Sequence, residues 1–189
     1  MKAQKKMSTQ TLVMGAVLTA MVIILQFISA NFKVGIFATT VALVPIVIGA
    51  AICGKSMGAW LGFVFGVIVL ISGDAAAFLA VNVPGTVITV LVKGTLCGFV
   101  AGCVYDLLKN KKQSLSVFAA GITCPVVNTG VFLIGCLLFF MPTIRQWAGS
   151  SAVGHYMIFG LVGINFIIEL ATNLILSPII VRLINVRNK

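Results

Sequence analysis

Residues 86–102 read TVITVLVKGTLCGFVAG, and residues 164–178 read INFIIELATNLILSP. Both stretches are mostly apolar, but an ionisable residue lies deep inside each one: Lys93 in the first and Glu169 in the second. A charge at the centre of a membrane-spanning helix costs about 3 kcal/mol, so such a residue normally faces a protein interior or a wet cavity. The two residues therefore indicate a buried functional site in a membrane protein.

The composition of the chain is that of an integral membrane protein. Of its 189 residues, 60% are hydrophobic and only 8% are charged, and the mean hydropathy is +1.19. A water-soluble globule of this length cannot bury so large a share of apolar side chains. Because little sequence remains outside the apolar runs, we expect a single membrane domain over residues 1–189.

The apolar runs predict six transmembrane helices and an all-α fold. A spanning helix needs about 20 mostly apolar residues, and continuous runs without strand-like alternation favour helices over a β-barrel. An even number of spans places the N- and C-termini on the same side of the membrane. The predicted spans cover residues about 10–30, 36–53, 57–72, 84–108, 115–140 and 156–184.

The positions of lysine and arginine predict which side holds the termini. Ten basic residues fall on the side of the termini, and two, Lys33 and Arg145, fall on the other side. Because cytoplasmic segments carry the excess of positive charge, we expect cytoplasmic termini. The net charge of +10 then reflects topology and attraction to anionic lipid, and nothing indicates nucleic-acid binding. The ten residues are Lys2, Lys5, Lys6, Lys55, Lys109, Lys111, Lys112, Arg182, Arg187 and Lys189.

Polar residues in three predicted spans lie at a similar depth. Lys93, Asn128 and Glu169 form one layer when the helical rise is counted from the outer ends of their helices. Asn165 and Asn173 flank Glu169 at four-residue spacing, so these three side chains face one direction. Three helices that bring polar groups to one layer favour a pocket for a polar small molecule.

A purely structural interpretation of the same residues remains open. Lys93 and Glu169 could form a buried ion pair, with the asparagine side chains bonding to backbone at helix breaks such as one near Pro125. A buried pair is poor evidence for stability by itself, because its desolvation cost can exceed its electrostatic gain. On this interpretation the protein would be a membrane scaffold without a transport function.

Small residues recur at four-residue spacing in three predicted helices, which lets helix backbones approach closely. For the two glycine rows, packing within the bundle is favoured over an external interface. The alanine pair differs because it lies near the cytoplasmic end of the first helix. The rows are Gly58, Gly62 and Gly66, then Gly94, Gly98 and Gly102, and the pair is Ala16 and Ala20.

Sequence motifs of enzymes are missing from the chain. It has no phosphate-binding glycine loop, zinc-binding helix or nucleophile elbow, and its only histidine, His155, falls in a predicted outer loop segment. We therefore expect no catalytic residue, no cofactor and no metal. The chain also lacks the inverted duplication of broken helices expected in a self-sufficient transporter. It is predicted to bind a molecule and to depend on a partner to move it.

The whole chain resembles the substrate-binding S components of energy-coupling factor (ECF) transporters, which are bacterial vitamin importers. The shared features are its size, the number of spans, the basic N-terminal segment and the A-x-x-x-A pattern at Ala16 and Ala20. The resemblance implies a multi-pass protein of the bacterial plasma membrane. It also implies that Ala16 and Ala20 dock on a transmembrane coupling subunit. Two ATPase subunits of the same ECF module would hydrolyse the ATP, so the chain itself would not be an enzyme.

The resemblance further implies a vitamin pocket in the outer half of the membrane, lined by helices 4 to 6. Outer loops would cover it, one at residues 30–37 and another containing Asp74 and Asn82. The segments CPVVNTG at 124–130 and NFIIELATNLILSP at 165–178 look most like the pantothenate group, although riboflavin and other vitamins remain open. Lys93 or Lys33 would pair with the carboxylate of pantothenate. The predicted substrate-binding residues are Lys93, Asn128, Glu169, Asn165, Asn173, Asn82 and Lys33.

Overall fold

The computed structural model describes residues 9–31, 33–34, 37–38, 41–149 and 151–187. Over these ranges the chain is a helical bundle with one very short hairpin. Its helices are α1 (Thr9–Ser29), α2 (Leu43–Cys53), α3 (Lys55–Ile71), α4 (Ala76–Leu79), α5 (Val83–Leu108), α6 (Gln113–Gly135), α7 (Met141–Ala148), α8 (Val153–His155) and α9 (Gly163–Arg187). The antiparallel hairpin pairs β1 (Lys33–Val34) with β2 (Phe37–Ala38). Two π-helical segments, Cys136–Phe140 and Tyr156–Val162, lead from α6 into α7 and from α8 into α9.

Four helical segments are long and apolar enough to cross a membrane, which confirms the expected helical membrane protein. They are Thr9–Ser29, Val83–Leu108, Gln113–Ala148 and Val153–Val186. Helices α2 and α3 are apolar but have only 11 and 17 residues. The predicted second span begins too early, because the hairpin precedes α2 and the helix starts at Leu43. An apolar run alone does not distinguish a strand from a buried helix, so hydropathy misplaced this boundary.

Helix α2 forms the centre of the bundle. Every residue from Leu43 to Ala50 is buried, and the helix packs against α1, α3, α5, α6 and α9. A helix that is apolar on all sides is stable only when other elements surround it, which explains the absence of a polar stripe in its sequence. The outer helices carry the exposed apolar surface instead, as shown by Leu12 on α1 and Ile175 on α9, which are 59% and 72% exposed.

The two glycine rows bring α3 and α5 into backbone contact. A Cβ on Gly62 would collide with the carbonyl of Gly94, and a Cβ on Gly58 would lie 2.5 Å from the carbonyl oxygen of Gly98. No larger residue fits at these positions unless the helices separate. The prediction of packing within the bundle is therefore confirmed. Because Lys93 directly precedes Gly94, this packing also determines where the lysine lies.

The helix break predicted near Pro125 is wrong. Helix α6 continues without interruption from Gln113 to Gly135, and Pro125 is buried inside it. Neighbouring helices can hold a proline-containing helix together in a membrane protein, which explains the continuity. The irregular geometry comes later, in the π-helical segment Cys136–Phe140.

The bundle contains two clusters of buried apolar residues. The larger one joins α1, α2, α3, α5, α6 and α9. The second one is rich in aromatic residues: the ring of Phe78 in α4 makes edge contacts with Phe132, Phe140 and Trp147, at centroid distances of 5.6, 4.9 and 5.4 Å. The α2–α3 turn and the ends of α5 and α9 border a separate recess, and Lys109 lines it. We call this part of the structure the basic end of the bundle.

Candidate functional site

A cavity lies between α3, α5, α6 and α9, next to the aromatic cluster. We call it the main chamber. Its walls combine six polar or charged side chains with five apolar ones. The polar ones are Asp74, Lys93, Asn128, Thr129, Asn165 and Glu169. The apolar ones are Phe65, Phe132, Leu161, Val162 and Phe166. Four of the seven predicted site residues therefore meet here: Lys93, Asn128, Asn165 and Glu169.

The ammonium group of Lys93 lies between aromatic rings. Its Nζ is 5.8 Å from the ring centroid of Phe65 and 5.5 Å from that of Phe132. Within the described part of the chain, no carboxylate oxygen lies within 4.0 Å of this nitrogen. Glu169 is near enough to interact with it electrostatically, but the close ion pair of the structural interpretation is not formed. The lysine is thus held by cation–π contacts and can accept a closer anionic partner.

Asn128 connects α6 to α9 and leaves one acceptor unused. Its side chain lies near the carboxylate of Glu169, and both residues are buried. The Asn128 Oδ1 atom is buried and has no hydrogen-bond partner among the described residues. A buried polar atom without a partner costs about 1–3 kcal/mol, so its presence in a cavity wall favours a ligand that donates to it.

Asp74 is a wall residue that the sequence analysis assigned only to a covering loop. It lies between α3 and α4, and its Oδ2 accepts a hydrogen bond of 3.4 Å from Nε2 of Gln26 in α1. Gln26 is completely buried although it lies in a lipid-facing helix. The sequence did contain a signal for the importance of these two residues. Asp74 is one of only three acidic residues in the chain, and Gln26 is a polar residue inside a predicted span.

Two predicted site residues do not line the main chamber. Asn173 lies one helical turn beyond Glu169, where its Nδ2 donates to the Glu169 backbone carbonyl at 2.9 Å. Asn82 caps the N-terminus of α5, and its Oδ1 accepts from the Gly85 amide at 3.0 Å. Lys33 belongs to β1, and its side chain lies outside the described part of the structure. For these residues a ligand contact stays a prediction.

The predicted docking residues Ala16 and Ala20 lie in a separate surface groove between α1 and α3. Small residues of α1 form its floor, and Trp60 of α3 borders it. The indole Nε1 of Trp60 donates to Thr19 Oγ1 at 3.3 Å. The groove is mostly apolar and open to the outside of the bundle. The small residues Gly15, Ala16 and Ala20 lie between the larger Leu12 and Ile23 on this face of α1, and a second helix could approach closely at the small residues.

Comparison with known proteins identifies the family. The family model described as ECF transporter, substrate-specific component, matches residues 10–181. No curated protein and no solved structure gives a significant match. Members of this family are substrate-binding subunits of membrane transporters, not enzymes, and they work with an ECF module. The polar chamber inside an apolar helical bundle is consistent with that role. This chain belongs to the family of substrate-specific components of ECF transporters.

Proposed function

We propose that the protein captures a vitamin in the main chamber from outside the cell and delivers it to the cytoplasm with an ECF module. On this proposal the bundle crosses the bacterial plasma membrane six times and both termini are cytoplasmic. The observation that carries the proposal is a pair of groups in one cavity: the ammonium of Lys93, which contacts aromatic rings, and the buried Oδ1 of Asn128, which has no hydrogen-bond partner among the described residues. A cation and a hydrogen-bond acceptor in the wall of the same cavity suit a ligand that is anionic at one end and donates hydrogen bonds elsewhere.

Pantothenate is the vitamin that we propose as the substrate. Its carboxylate would displace the longer-range interaction of Lys93 with Glu169 and form a charge-assisted hydrogen bond to the ammonium. Its hydroxyl and amide donors would meet Asn128 Oδ1 and the carboxylates of Glu169 and Asp74. The chamber has more acceptors than cations, so a ligand with one carboxylate and several donors matches it better than a ligand with two or more negative charges.

The groove that contains Ala16 and Ala20 is proposed as the docking surface for the transmembrane coupling subunit. The small side chains of Gly15, Ala16 and Ala20 on this face of α1 would allow helix backbones to come close, which is how small-residue motifs stabilise helix pairs in membranes. The two ATPase subunits would supply the energy, because the chain has no nucleotide-binding motif. The main chamber is lined by α3, α5, α6 and α9 and not by α1, so ligand binding and docking would use separate surfaces.

Mass spectrometry of small molecules released from the purified, detergent-solubilised protein tests the proposed function. We expect a stoichiometric vitamin, and titration with pantothenate should then give saturable binding that Lys93→Ala weakens. Liposomes with the protein alone should bind the vitamin without sustained uptake. Well-folded protein that binds no member of a vitamin panel would favour the scaffold alternative, and a different bound vitamin would correct only the substrate.

A further inference from the structure

A second, smaller cavity adjoins the main chamber, and we call it the side chamber. It shares Asp74, Lys93 and Phe132 with the main chamber. Its remaining walls are mainly apolar and come from α3, α4, α5 and the π-helical segment after α6. The two chambers therefore meet at Lys93, and a ligand bound by this lysine can extend into both.

Thr89 provides an unsatisfied polar atom in the wall of the side chamber. The residue is 5% exposed, and its Oγ1 is buried without a hydrogen-bond partner among the described residues. Five other helical threonines behave differently, because their hydroxyls donate at 2.7 Å to the carbonyl four residues earlier. These are Thr19, Thr86, Thr95, Thr123 and Thr172. The orientation of Thr89 thus leaves its hydroxyl without the local bond that a helix ordinarily offers.

The Thr89 side chain occupies space that is free because Gly135 has no side chain. A Cβ added to Gly135 would lie 2.5 Å from Thr89 Oγ1 and would also collide with the methyl group of the threonine. Any larger residue at this position would push the Thr89 side chain, and the side chamber beside it would change shape. Gly130, on the same helix, has open space at its Cβ position. The two glycines therefore form a matched pair for substitution.

We infer that the side chamber is a substrate subsite for a short, methyl-branched aliphatic group that carries one hydroxyl. The inference rests on the proposed function. Apolar walls favour the hydrocarbon part, and Thr89 Oγ1 is the unsatisfied group available for a single hydrogen bond. A more polar end would leave its own groups without partners. The hydroxylated dimethyl end of pantothenate has this chemistry, while its carboxylate would stay with Lys93.

The test is a titration of wild type, Thr89→Val, Gly135→Ala and Gly130→Ala with pantothenate, and then with free riboflavin, thiamine, biotin and folate. If pantothenate binds wild type, we expect about 3- to 10-fold weaker binding by Thr89→Val, the effect of one lost hydrogen bond; binding of another vitamin but not of pantothenate would overturn the inference. Gly135→Ala should also weaken binding, and Gly130→Ala should bind like wild type. The melting temperature of ligand-free Thr89→Val should equal or exceed that of wild type, because an unpaired buried hydroxyl is removed.

The possible outcomes separate the two proposals. If a vitamin binds wild type and both Thr89→Val and Gly135→Ala bind it equally well, the side chamber is not a subsite, although the proposed function stands. A lower melting temperature of ligand-free Thr89→Val would assign the residue a structural role and overturn the inference. If no vitamin binds the folded wild-type protein, the proposed function fails and the subsite fails with it.

Discussion

Lys93→Met removes one positive charge from the main chamber and keeps a side chain of similar length. In the structure the ammonium has aromatic rings at 5.5 and 5.8 Å and no carboxylate oxygen within 4.0 Å in the described part of the chain. An anionic ligand would therefore be its closest charged partner. Losing that partner should affect ligand binding much more than folding.

The size of the effect follows from the bond that is lost. A hydrogen bond to a charged group contributes about 1.5–3 kcal/mol, and each 1.4 kcal/mol corresponds to roughly a tenfold change in affinity. We expect Lys93→Met to weaken pantothenate binding by about 10- to 150-fold. The lost cation–π contacts, about 0.5–2 kcal/mol, are opposed by relief from holding an ammonium group inside the bundle. The melting temperature should therefore change little.

Isothermal titration of the detergent-solubilised protein measures this prediction directly. Lys109→Met is the matched control, because Lys109 is exposed at the basic end and pairs with Asp106 at 2.6 Å, away from both chambers. Pantothenol, which has an alcohol in place of the carboxylate, is the matched ligand. It should bind wild type and Lys93→Met with similar affinity. Unchanged pantothenate affinity in Lys93→Met would refute the assignment of Lys93 to the carboxylate.

Further predictions concern packing, docking and pH. Gly62→Ala should lower the free energy of unfolding by about 1–3 kcal/mol, because a Cβ collides with the facing backbone of α5; thermal denaturation should show no such loss for Gly130→Ala. Ala20→Leu should leave vitamin binding unchanged but reduce uptake by liposomes that contain the ECF module, and unchanged uptake would contradict the docking proposal. The hydrogen bond from Lys109 to Asp106 raises the pKa of Lys109. The pair therefore stabilises the folded state at pH values below the ordinary lysine pKa, and this stabilisation is lost as the pH rises through the raised pKa. We therefore expect wild type to be slightly more stable at neutral than at strongly alkaline pH, and Asp106→Asn to lose this difference. The difference is small because the pair is exposed.

The convergence of polar residues could be predicted from their depth and spacing. Lys93, Asn128 and Glu169 were assigned to one layer by counting helical rise, and Asn165 was placed on the same face as Glu169. All four line the main chamber. Counting along one helix does not show where a neighbouring helix ends, and Asn173 on the same face falls outside the chamber.

Other parts of the site depend on contacts between segments that are distant in the sequence. Asp74 reaches the main chamber from the α3–α4 connection and is contacted by Gln26, 48 residues away. Thr89 has the same residue type as five threonines whose hydroxyls donate to a carbonyl of their own helix. Its different orientation depends on the space that Gly135 leaves on another helix. No local pattern contains that information.

The sequence by itself determined that this is a helical membrane protein with charges buried in its interior, because hydropathy and charge depend only on residue type and order. The spacing of the glycines also indicated close helix packing within the bundle, and the structure showed that α3 and α5 are the partners. Only the tertiary structure decided that Lys93 lies between aromatic rings without a close carboxylate, and that its cavity has a second chamber. These features arise from the distances between side chains on different helices, which packing determines and which no single stretch of sequence specifies.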